Sequence, residues 1–172
     1  MSSLLRISDP VAAIAVAGAG IASVVIDLQT RRIPNALTFG LAAFGLAAAA
    51  LRLDALTATQ ALLGCGVGLA LMLPGHVIGA TGAGDVKLFA AIGTLLGPRA
   101  MVSAFLYTAI AGGALAIVIS LQRRLLRETV GRAFALVRTA GANVGDIERA
   151  AVNRFAYAPA IAIGSLAAAL GL

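Results

Sequence analysis

Charged and aromatic side chains are scarce in this chain. Asp, Glu, Lys and Arg together make up 12% of its 172 residues, about half the share usual in a soluble domain. There is one cysteine, Cys65, and one histidine, His76, and tryptophan is absent. A lone cysteine excludes both an intrachain disulfide framework and a four-cysteine zinc site. A lone histidine excludes a multi-histidine metal centre, and any serine triad would have to be built around it. Few aromatics also argue against nucleic acid as the partner of the +6 net charge, because bases need stacking surfaces.

What is present instead is apolar length. Hydrophobic residues make up 60% of the chain and the mean hydropathy is +1.00, which implies an all-α polytopic protein with the lipid bilayer as its solvent. The pattern gives about six spans in a single membrane domain, over residues 10–27, 35–51, 60–78, 86–96, 99–121 and 156–172. Pro10 and Pro34-Asn35 open helices, and Thr57 to Thr59 can cap the third span. Gly79 to Gly84 reads as a turn, and Gly97-Pro98 separates the fourth span from the fifth. The fourth covers only about 16 Å as helix, half a hydrocarbon core. It must therefore tilt, meet thin bilayer or lie among other helices.

Arginine placement sets the orientation. The first apolar run is followed by Arg31 and Arg32, the reverse of a secretory signal, so it reads as a retained span with its amino terminus outside. Six spans then place ten Lys and Arg inside, seven of them in a basic loop over 122–155, and three outside. Fusing the fourth and fifth spans would put seven arginines on the wrong side. The loop fixes orientation, and part of it has the composition of a surface-lying amphipathic helix.

Against this background two acids stand out. Asp27 closes the first span and Asp85 opens the fourth, so the topology carries both to the cytoplasmic face. Taken singly, each has an ordinary explanation: Asp85 as a helix N-cap, Asp27 as a boundary residue beside Arg31. As a pair at one depth they resemble a shared site, since ionisable groups at a membrane boundary need water or a partner. Gly82 and Gly84 precede Asp85 and let another backbone approach. Two carboxyls held together titrate as a unit, one ionised to activate water and one protonated to polarise a peptide carbonyl. That chemistry needs no metal and no cofactor. The alternative is a small transporter subunit using the two acids as proton or cation sites. It is disfavoured because both acids lie on one side. Cys65 reads as a packing residue and His76 as a core or cavity residue.

The run Gly82-Ala83-Gly84-Asp85-Val86-Lys87-Leu88 resembles the GxGD motif of the type IV prepilin peptidases. Asp27 with Arg31-Arg32-Ile33-Pro34-Asn35 is similar to that family's other aspartate and the loop after it. Tyr157 to Gly164 is similar to its last span. The resemblance implies an aspartyl endopeptidase of the bacterial inner membrane, with Asp27 and Asp85 catalytic and Gly82 and Gly84 shaping the active-site turn. Its substrates would be prepilins, cut on the cytoplasmic side between a basic leader and a hydrophobic pilin helix. Longer members carry a cysteine-bearing domain and methylate the new amino terminus. Here seven residues separate Asp27 from Asn35, so the resemblance is to the short form associated with tight-adherence, Flp-type pili, without methyltransferase activity.

Overall fold

A computed structural model describes residues 10–30, 32–53, 55–79, 81–122 and 157–172. The basic loop from residue 123 onward, Arg31 and the amino-terminal residues lie outside them. The described residues form five helices: α1 (Pro10–Thr30), α2 (Asn35–Ala50), α3 (Ala58–Val77), α4 (Ala83–Gln122) and α5 (Ala158–Ala169). By length and composition α1, α3 and α4 are apolar enough to cross a membrane, and α2 and α5 are shorter apolar helices. Large apolar side chains such as Ile14, Ile21, Leu62, Leu106 and Ile110 point outward, as they do in a protein whose solvent is lipid. The chain is an all-α polytopic membrane protein.

Local chemistry sets the helix limits. Proline opens α1 without forfeiting an intrahelical hydrogen bond. Thr57 caps α3 through a complete capping box: its hydroxyl accepts from the Gln60 amide, and the Gln60 side chain accepts from the Thr57 amide. The helix therefore begins at Ala58, two residues before the expected Gln60.

The break inside α4 organises the fold. Gly97 is non-helical with φ 73°, a left-handed conformation open to glycine, and Pro98 follows it. Phe89 and Phe105 meet edge to face at 6.4 Å between ring centroids. Sixteen residues of straight helix would hold them about 24 Å apart. Gly68 of α3 likewise faces both Phe89–Ala90 and Met101. The two segments of α4 therefore fold back on each other at Gly97.

The first segment is the centre of the protein. Val86, Leu88 to Ile92, Thr94 and Leu95 are all buried, on every side of the helix rather than along one stripe, as in a helix enclosed by others. Its shortness is accommodated by burial among the other helices. Glycines let neighbours come close: Gly64 of α3 lies against Gly93, Gly45 of α2 against Thr94, and Gly164 of α5 against Thr108.

Candidate active site

Two separate packing events bring the loop after α1 and the turn before α4 together. Ile33 seats on Gly84, where an added Cβ would lie 3.1 Å from the Ile33 Cβ. Lys87 Nζ donates to Asn35 Oδ1 at 2.9 Å and sits 5.9 Å from the centroid of the Phe39 ring. Gly84 thus admits a close neighbour, and that neighbour is the chain's own Ile33.

Asp85 is part-buried in the first turn of α4, where an acid is favoured by the helix dipole. It is not the N-cap expected from sequence. Its Oδ2 instead accepts the Gly82 amide at 3.0 Å from the third helical position, the carboxylate half of a capping box. Gly82 has no side chain to compete for that space: an added Cβ would lie 3.0 Å from the same oxygen.

Asp27 lies in the last turn of α1 and is buried, with 7% of its surface exposed. A carboxylate near a helix C-terminus faces like-signed carbonyl dipoles. The fold compensates with the N-terminus of α5, where the Ala158 amide donates to Asp27 Oδ2 at 3.4 Å. That amide is one of the first-turn donors without a partner inside its own helix. Asp27 thus closes the first span as expected, but its carboxyl is buried and held from α5 and does not reach outward.

The residue before Ala158 packs against α4. Tyr157 stands at the N-cap position of α5 and is half-buried. Its ring fits over Gly112 in the second segment of α4, where an added Cβ would lie 2.7 Å from Cε2 and 2.8 Å from the hydroxyl. Hence Tyr157-Ala158 spans from Asp27 to the second segment of α4. Sequence reasoning placed this dipeptide in the last span and missed its contact with Asp27. The one available signal was Pro159, which marks a helix start just after Tyr157.

Replacing Gly112 with Ala is expected to drive the Tyr157 ring from its seat. The chain lacks tryptophan and has two tyrosines, so a Tyr107→Phe background reports on Tyr157 alone. Tyrosine emission should become more accessible to an aqueous quencher in the Gly112→Ala protein. Unchanged quenching would mean that the ring does not occupy that seat.

His76 corrects an expectation. It is exposed at the end of α3, not in the core, and its Nδ1 lies 3.1 Å from the Thr81 carbonyl oxygen. Cys65 is half-buried in α3. Among the described residues no three His, Cys, Asp or Glu side chains cluster as a metal site would require.

These features define a class: a helical membrane protein in which the loop after Asp27 packs on the turn that carries Asp85. A family model, the type IV leader peptidase family, matches residues 14–117. That is more than half of the chain and includes both Asp27 and Asp85. The chain belongs to the type IV leader peptidase family, whose members are aspartic-type peptidases. No curated protein and no solved structure matches it.

Proposed function

We propose that this protein is a prepilin endopeptidase in which Asp27 and Asp85 are the catalytic pair. The observation that supports the reading is the packing of the loop after α1 on the turn before α4, with Ile33 against Gly84 and Lys87 Nζ donating to Asn35 Oδ1. These contacts link the segments that carry two acids 58 positions apart in a chain of the leader peptidase family.

In this mechanism the pair shares a proton. The ionised carboxylate takes a proton from the attacking water, and the protonated partner donates to the scissile carbonyl and stabilises the developing oxyanion. The proton then passes to the leaving amine. Backbone donors from Ala158 and Gly82 fix the two carboxyls without adding charge. Gly82 and Gly84 form the active-site turn, kept narrow by Ile33 and Asp85.

The substrate is a Flp-type prepilin, cut at the cytoplasmic face of the inner membrane just after its basic leader. Support for the short form comes from the tight connection between Asp27 and Asn35. It leaves no room there for the domain that methylates pilins in longer relatives, so the reaction ends at cleavage. Co-expression with small prepilins in a host lacking such peptidases tests this. Leader removal followed by mass is the expected result, with no added methyl group. Uncleaved precursor across a panel of Flp-type prepilins, with the peptidase inserted in the membrane, would contradict it.

A further inference from the structure

His76 has no part in the mechanism above, yet it touches the turn that carries Asp85. The Thr81 carbonyl and the Gly82 amide belong to one peptide group, and no peptide bond here is cis. In a trans peptide the C=O and N–H point in opposite directions. One end of this group meets His76 Nδ1 at 3.1 Å and the other meets Asp85 Oδ2 at 3.0 Å. A carbonyl oxygen can only accept, so Nδ1 is the donor in that contact.

The turn is fastened around this peptide. Gly79 follows the C-cap of α3 with φ 75°, and the Thr81 amide returns to the Gly75 carbonyl at 3.1 Å. Gly75 leaves just enough room for Thr81: an added Cβ would lie 3.3 Å from the Thr81 Cγ2 and Oγ1 atoms. Thr81 is thus held through its amide by Gly75 and through its carbonyl by His76. The Gly82 amide, at the other end of the same peptide, faces the acid.

We infer that His76 is a positioning residue for Asp85, acting through the Thr81–Gly82 peptide. The inference rests on Asp85 being catalytic, as proposed above. Donation to the carbonyl polarises the peptide and strengthens donation from its amide, as hydrogen bonds do in chains. It also fixes the plane of the peptide, and with it the direction from which Asp85 is held. His76 touches neither the substrate nor the attacking water in this role.

The sequence allows a direct test, because Thr81-Gly82 is the only Thr-Gly dipeptide in the chain. Carbonyl-labelled threonine with nitrogen-labelled glycine therefore gives a single correlated resonance, from this peptide alone, in the full-length protein in micelles. His76→Ala is expected to move that resonance, and so is Asp85→Ala, because each removes one end of the chain of hydrogen bonds. His76→Asn keeps a donor one atom beyond Cγ, where Nδ1 stands, and should return the resonance most of the way. In the processing assay His76→Ala should lower kcat about threefold to tenfold with KM little changed, the range expected for one hydrogen bond. His76→Asn should recover most of that loss.

An unmoved resonance in His76→Ala would overturn the inference, as would full kcat in that variant. So would an Asn variant no better than Ala. If the wild-type protein cleaves no prepilin, the proposed function fails and the resonance arm still decides whether His76 and Asp85 share this peptide.

Discussion

Asp27→Asn and Asp85→Asn are each expected to abolish prepilin processing, lowering the rate by at least about a thousandfold, while the protein still inserts in the membrane. The size follows from the chemistry: removing a general base or acid that acts as one unit with its partner forfeits most of the pair's rate enhancement. Asparagine keeps an oxygen to accept the Ala158 or Gly82 amide, so the helix ends should survive. It cannot share a proton with the other carboxyl. The double variant should be no worse than the worse single variant, since the two residues do one job. Leader removal measured by mass, with membrane-inserted protein quantified alongside, checks this. Normal processing by either variant would remove that aspartate from the catalytic role. A solute flux lost in both variants, with leader cleavage never seen, would favour the transporter alternative.

Gly64→Ala is expected to damage folding more than any other conservative change in α3. An added Cβ there would lie 2.0 Å from the Gly93 carbonyl oxygen and 2.8 Å from the Gly97 Cα. Both obstacles are backbone, and neither can swing aside as a side chain does. The helices must part, and the loss reaches the α4 reversal as well as the buried segment that begins at Asp85. Overpacking of a core costs about 1–3 kcal/mol and sometimes more, so a cost of about 3 kcal/mol or above is expected here. Gly66, two residues away, has nothing within 4 Å of an added Cβ. Gly66→Ala should be neutral or slightly stabilising, by up to about 1 kcal/mol, through reduced backbone freedom in the unfolded state. Thermal unfolding in detergent compares the two. Equal midpoints would mean that α3 and α4 do not meet at Gly64.

Much of the helical layout was legible because its punctuation is local. Pro10, Pro34-Asn35, Thr57 to Thr59 and Gly97-Pro98 announce themselves within four residues, by fixed φ, missing donors or a capping hydroxyl. The partners of the glycines were not legible. Gly64 and Gly66 sit in the same apolar run, yet one touches α4 and the other touches nothing, and only the crossing of the two helices decides which.

The acids divide in the same way. Asp27 and Asp85 could be singled out from their scarcity and from topology, but not how each is held. The burial of Asp27 depends on Ala158, far along the chain, and no periodicity marks a backbone amide as a partner. Asp85 serves Gly82 from the third position of its helix and does not cap it, a difference of register within one turn. His76 read as a core or cavity residue because it lies near the end of the third span, and it is exposed there. The helix ends there, and the next turn supplies its partner.

The central claim is that Asp27 and Asp85 face one another across a single site. In a Cys65→Ser background, Asp27→Cys with Asp85→Cys puts one thiol at each position. A short thiol-specific cross-linker should join them within one chain, and a partner thiol at Val77 in place of Asp85, at the end of α3, serves as the control. Protein cut between the two positions should then stay linked until the cross-link is broken, with the Val77 pair unlinked. Free fragments from the Asp27–Asp85 pair, with both thiols reactive toward a small reagent, would contradict the account.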